Sequence, residues 1–246
     1  MLVSFVIPAH NEERCLPATI AAIRDAARTL DLDHEIIVAD DASTDRTPEI
    51  AAELGARVVR HDRRQIAATR NLGARVAGGE ILFFIDADTC VNPQAVRAAL
   101  DALARGAVGG GGWVRADGVI PLYARIMLHA ANRIFRLCRL CGGCFVYCTR
   151  EAYLRTGGWD ETRYAGEEIE FAGALKAQGR FHMVRTPVTT SGRKLRTHSP
   201  REIVGVIARG AWSEVFQGGR LTRSREGLDL WYAPRREDTG GTPGNK

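Results

Sequence analysis

"ILFFIDADT", residues 81–89, runs five apolar residues into two aspartates separated by one alanine. An unbroken apolar run, as opposed to an alternating one, marks a strand buried on both faces. Asp86 and Asp88 then stand where that strand leaves the sheet. On either side the chain alternates strand and helix. "VSFVIPA" (3–9), "HEIIVADDAST" (34–44) and "ARVVRH" (56–61) read as strands, and 80–88 as the fourth. Apolar residues three and four apart predict helices over 15–30, 43–55, 66–79 and 92–106. Ser43, Thr44 or Asp45 offers an N-cap and Gly55 a stop for the second, and Asn92-Pro93 opens the fourth. This order implies an α/β fold, a mostly parallel sheet flanked by helices, whose ligands sit at the carboxyl ends of the strands. His10-Asn11-Glu12, Asp40-Asp41 and Asp86-Ala87-Asp88 follow three of those ends. They are expected to converge on one crevice.

The second half is less regular. Residues 107–117 read as a glycine-rich strand and 122–140 as a basic amphipathic helix. Residues 142–161 read as strand, short helix and turn; 166–179 as a helix closed by Gly179; and 181–193 as a last strand. The end of the chain, 235–246, is polar and glycine-rich and reads as a disordered tail. With 246 residues, 45% of them apolar, the chain can bury one large core. The net charge of +5 suits phosphorylated ligands or an anionic membrane surface, and is too small to call for nucleic acid. No run approaches a spanning helix of about 20 residues. The first residues lack a basic region and a cleavage site, which implies a cytoplasmic protein, with the inner face of a membrane as a further location.

Two aspartates flanking a small residue suit a hard divalent cation, Mn²⁺ or Mg²⁺, that shares its shell with substrate phosphates. The plainer role for Asp88 is to cap the helix that follows. Five segments carry a resemblance: "VIPAHNEE" (6–13), "VADDASTDRT" (38–47), "ATRNLG" (68–73), "FIDADT" (84–89) and "GGWDE…GEEIEF" (157–171). Their order resembles that of the family-2 glycosyltransferases over about residues 3–193. The resemblance implies a GT-A, Rossmann-like fold and inverting transfer from a nucleotide-activated sugar, UDP-linked as the first expectation. Residues 1–106 would bind the nucleotide-sugar, and 107–234 would form the acceptor-binding, catalytic-base half of the same domain.

The resemblance also assigns roles. Pro8, Ala9 and Glu12 would border the base and ribose, and Asp40 or Asp41 would meet the uracil or ribose edge. Arg70 would reach the nucleotide or its diphosphate. Asp86, with Ala87, would lie toward the ribose, and Asp88 would bind the metal, with His198 as a third ligand. Of the acidic pair Glu167-Glu168, Glu168 stands where the family usually has aspartate and would be the general base, with Glu167 the fallback. Glutamate reaches one methylene further, which puts base placement in question. Trp159 and Asp160 would border the acceptor: a glycan, a lipid-linked compound or a small molecule. Trp159 as plain core is an equal reading. The basic stretch 191–199, with Arg193, Lys194 and Arg196, would close over the diphosphate.

Rivals remain at this level. A nucleotidyltransferase could use the same acids, but no glycine- and lysine-rich loop follows the first strand. A non-catalytic nucleotide-binding module is a further alternative: it would bind UDP with metal and turn over nothing. Cys138, Cys141, Cys144 and Cys148 have the spacing of a bacterial iron–sulfur site, with Thr149 in place of the following proline. An extended strand would hold Cys144 and Cys148 about 13 Å apart, too far for one cluster. The face of 122–140 suits packing on the domain or a peripheral membrane contact, and that of 203–219 suits core, a membrane contact or a homodimer contact.

Overall fold

The structure, a computed structural model, describes residues 1–216, 222–226 and 228. Eight strands form one sheet: β1 (Val3–Ala9), β2 (His34–Asp41), β3 (Arg57–His61), β4 (Ile81–Ile85), β5 (Thr89–Cys90), β6 (Ala107–Ala116), β7 (Phe145–Thr149) and β8 (Arg180–Thr190). Their order is β3-β2-β1-β4-β7-β6-β8-β5. The first four run parallel, as expected, with Ala9 beside Asp40 and Val6 beside Phe84. The carboxyl ends of β1, β2 and β4 therefore share one rim. β7 enters antiparallel between β4 and β6, and β5 pairs antiparallel with β8. The two halves of the chain thus share a single sheet.

The helices are α1 (Leu16–Thr29), α2 (Thr47–Glu53), α3 (Ile66–Val76), α4 (Pro93–Ala104), α5 (Leu122–Cys138), α6 (Arg150–Thr156), α7 (Glu167–Lys176), α8 (Arg193–Thr197) and α9 (Pro200–Phe216). Asn92 caps α4 through a bond from Ala95 N, 2.9 Å. The expected cap of α2 is displaced: Arg46 holds the N-cap position, while the Asp45 carboxylate accepts from Thr47 N at 3.0 Å. β4 stops at Ile85, leaving Asp86 to Asp88 in a turn. The tail 235–246 and the end of 203–219 lie outside the described residues.

β4 explains its own composition. Phe83 packs with α1 and α4 on one face, stacked on Phe5 at 5.1 Å. Phe84, pointing the other way, packs with α3, α6 and α7. Both faces are covered, so no polar residue can alternate in. The glycines of β6 have a steric cause. A Cβ at Gly110 would collide with His182 O and the Tyr147 ring, and one at Gly112 would strike the Phe145 ring. Gly110→Ala is therefore expected to destabilise by about 1–3 kcal/mol, the usual penalty for overpacking. Chemical denaturation measures it.

Candidate functional site

Asp86, Asp88, Glu167 and Glu168 line one cavity of about 380 Å³ at the common rim, together with Pro8, Ala9, Glu12, Asp41, Arg70 and Ala87. His10, Asn11 and Lys194 line it too, so thirteen of the residues singled out from the sequence are brought together.

α3 is the hinge of the arrangement. Its start is held by the Asp41 carboxylate, which accepts from Arg63 N (3.0 Å), Arg64 N (2.7 Å), Gln65 N (2.7 Å) and Thr69 Oγ1 (2.9 Å). One turn later Arg70 is buried to 1% exposure. Its Nη1 donates to Glu167 Oε1 at 2.7 Å, and its Nη2 to Asp86 Oδ1 at 3.1 Å and Gly143 O at 3.2 Å. The guanidinium lies 4.4 Å above the Trp159 ring. Asn71 ties down the adjoining loop, donating to Trp159 O at 2.9 Å and accepting from Trp159 N at 2.8 Å. Gly73 passes so close to Val6 that a Cβ would not fit. The segment "TRNLG" is thus read residue by residue: an arginine for the acids, an asparagine for the loop and a glycine for the sheet.

These contacts alter several expectations. Arg70 is engaged by two carboxylates and a carbonyl, so it links the acid pairs across the cavity. That differs from the expected reach toward a diphosphate. Asp41 already accepts four hydrogen bonds, the number its two oxygens offer, so it builds the wall. Asp40 does not line the cavity. The strand pleat turns it away, fully buried, onto Arg60 Nε at 3.0 Å. Trp159 does not border the cavity either: it is buried, stacked on Phe171 at 4.1 Å and edge-on to Phe84 at 5.1 Å. Asp160 turns back through Oδ1 onto Thr162 N (2.9 Å) and Oγ1 (2.7 Å), an Asx turn, with Oδ2 3.6 Å from Arg163 Nε. Neither expected acceptor residue reaches the site. Arg196 bonds Asp117 Oδ1 at 3.0 Å, whereas Arg193 lies between Glu12 (3.4 Å) and Asp88 (3.8 Å) and Lys194 lines the cavity.

Gly166, in the left-handed region at φ 75°, opens α7 and presents Glu167 and Glu168 in its first turn. Their environments differ. Glu167 is buried and paired to Arg70. Glu168 is half-buried, and its pKa is pushed well above the usual glutamate range. Burial raises it most and the Glu167 charge adds to this, while a backbone hydrogen bond and Arg70 pull the other way. Burial would lower the pKa of Arg70, but the charges of Asp86, Glu167 and Glu168 outweigh it and keep the guanidinium ionised.

Among the described residues no three His, Cys, Asp or Glu side chains stand together as a metal-binding group. Asp86, Asp88 and His198 therefore do not form a ligand triad; His198 Nδ1 instead lies 3.2 Å from Lys194 O. The donor set still fits Mg²⁺ or Mn²⁺, which commonly take one or two carboxylates and complete their shell with phosphate oxygens and water. The iron–sulfur reading fails on the same ground: no three of the cysteines stand together as ligands, Cys141 and Cys148 being buried and Cys138 exposed.

Several lining residues were not legible beforehand: Gln65, Thr69, Gly143 and Tyr164. Gly143 had a signal, the Gly-Gly pair, but its partner did not. A Cβ there would press on Arg70 Nη2 at 2.5 Å.

A family model described as "Glycosyl transferase family 2" matches residues 4–157. Over 111 residues the chain is 37% identical to 4,4'-diaponeurosporenoate glycosyltransferase of Staphylococcus haemolyticus, covering 42% of this chain and 28% of that protein. The match thus spans less than a third of that relative. The fold is similar to that of the mannosyltransferase PcManGT from Pyrobaculum calidifontis in complex with GDP-Man and Mn²⁺. The TM-score is 0.68 at 18% identity, over 88% of this chain and 63% of that one. Glucosyl-3-phosphoglycerate synthase from Mycobacterium tuberculosis, in complex with Mn²⁺ and UDP-glucose, aligns with a TM-score of 0.58 at 23% identity, over 88% and 78% of the two chains.

Proposed function

The chain belongs to glycosyl transferase family 2, and from that premise we propose that its cavity transfers a sugar from a nucleotide-diphosphate sugar to an acceptor hydroxyl by one inverting displacement. The observation that carries this reading is that two acid pairs, at the ends of β4 and at the start of α7, face one cavity through a shared arginine.

The division of labour follows from the two environments. Glu168, with its raised pKa and open side, takes the proton of the attacking hydroxyl. The acceptor oxygen bonds to the anomeric carbon as the bond to the phosphate oxygen breaks, and that electron pair leaves with the nucleoside diphosphate. Arg70 bonds Glu167 and Asp86 together, which fixes both walls around the reacting atoms. Asp88, with Asp86 behind it, would hold a divalent cation. Such a cation, when bound, neutralises charge developing on the departing diphosphate. Lys194 adds positive charge at the same rim. Pro8, Ala9 and Glu12 form the wall available to the nucleoside.

A uridine donor is the first to test, and the structural neighbours with GDP-mannose and UDP-glucose set the panel. The acceptor is a hydroxyl of a glycan, lipid-linked compound or small molecule. The experiment is nucleotide release from UDP- and GDP-sugars with Mn²⁺ or Mg²⁺. Chelation is expected to abolish release and added metal to restore it. Asp88→Asn is expected to lower release at least 100-fold, the scale of losing preorganised charge stabilisation. Donor binding without any turnover, across donors and acceptors, would leave only a binding module.

A further inference from the structure

We propose that α5 is an interfacial helix that seats the protein on an anionic lipid bilayer. Leu122, Ile126, Ala130 and Ile134 recur four apart, and Leu137 follows three on, so they share one face. All are exposed, Leu137 to 83% and Leu122 to 69%, and Val119 just before the helix is exposed to 90%. Arg125, His129, Arg133 and Arg136 run along the edge of that stripe, and Arg139 closes the helix end. The opposite face is the anchored one. Asn132 donates to Val114 O at 2.8 Å and accepts from Val114 N at 3.1 Å, and Ala124 is buried.

The charge pattern selects the occupant. None of the 33 residues 118–150 is acidic, and five are arginines. A second copy of this surface would bring arginines against arginines across a twofold axis. A nucleic acid would leave the apolar stripe in water. A bilayer with anionic headgroups takes both: leucine and isoleucine enter the acyl boundary while arginines stay among the phosphates. No described helix is long and apolar enough to cross a membrane, so the contact is in the plane of the surface.

The helix is also joined to the cavity at both ends. Tyr123 Oη donates to Leu195 O (3.4 Å) and His198 O (3.3 Å), holding the segment from which Lys194 borders the cavity. Five residues beyond Cys138, Gly143 accepts from Arg70. A bilayer under α5 would therefore contact a helix tied at both ends to segments that line the cavity.

The test is co-sedimentation of the full chain with vesicles of phosphatidylcholine, with and without about one third phosphatidylglycerol. Binding is expected only with the anionic lipid. It should weaken at least tenfold in Ile134→Ser/Leu137→Ser, and roughly fivefold per arginine in Arg133→Gln and Arg136→Gln. Far-ultraviolet dichroism and nucleotide release from a soluble donor should stay unchanged, so failure here is separable from failure of the glycosyltransferase reading. The proposal is overturned if the wild type does not bind the anionic vesicles, or if the variants bind as it does. It is also overturned if Leu137→Glu converts a solution dimer to monomer, or if the face proves to be covered by residues 229–246 of the same chain.

Discussion

Glu168→Gln is expected to reduce turnover by 10² to 10⁴, the range for loss of a positioned proton acceptor, while leaving the protein at least as stable as before. The pairing of those two results is the informative part. Glutamine keeps the shape of the side chain, and it removes a carboxylate that burial and Glu167 make costly to ionise. The pH dependence follows in sign. A base works only when unprotonated, and the pKa of Glu168 lies above the ordinary glutamate value of about 4.3. In the wild type, kcat/KM should therefore rise with pH through a midpoint above that value. Residual activity of Glu168→Gln should lack this limb.

Stability runs the opposite way. A group whose folded-state pKa is raised contributes stability that is full below its unfolded pKa and lost as pH rises through the folded one. Thermal melts of Glu168→Gln should match or exceed the wild type above that midpoint. The advantage should vanish at low pH. A variant that loses activity only because it melts early would refute the assignment.

The second large effect is on Arg70. Arg70→Met removes the cation that links Asp86 to Glu167 in a site with 1% exposure. Breaking a buried ionic group while leaving its partners charged costs about 3–5 kcal/mol. For a chain of this size that is roughly a 10 °C fall in melting temperature. Arg70→Lys should recover some stability but little activity, since one ammonium cannot replace a fork that bonds Glu167, Asp86 and Gly143 together. Differential scanning calorimetry across pH, set beside the nucleotide-release assay, measures both.

The legible part of this site is that which strand and helix ends dictate. Apolar runs and acidic ends placed Asp86, Asp88 and Glu12 at one rim, because parallel strands bring their carboxyl ends to the same edge. The resemblance carried by "GGWDE…GEEIEF" pointed to Glu167 and Glu168, which open α7. What stayed hidden depends on direction or on partners distant in the chain. Asp40 and Asp41 are adjacent and chemically identical; only the pleat decides that one meets Arg60 and the other caps α3. Arg70 looked like a ligand for phosphate because its partners lie 16 and 97 residues away. Trp159 read equally as an acceptor contact or as core; the core reading holds, its ring taken up by Phe171, Phe84 and Arg70. β7 carries the same apolar signature whether it runs parallel or antiparallel, so its insertion between β4 and β6 had no local sign.

The account rests on Asp88 joining a diphosphate to the rim through a divalent cation, a step separable from chemistry at Glu168. Calorimetric titration of UDP and GDP, with Mn²⁺ and with chelator, into wild type, Asp88→Asn and Glu168→Gln tests it directly. At least one nucleotide should bind wild type and Glu168→Gln only with the metal, and Asp88→Asn not measurably under either condition. Binding that ignores the metal, or that survives Asp88→Asn undiminished, would contradict it.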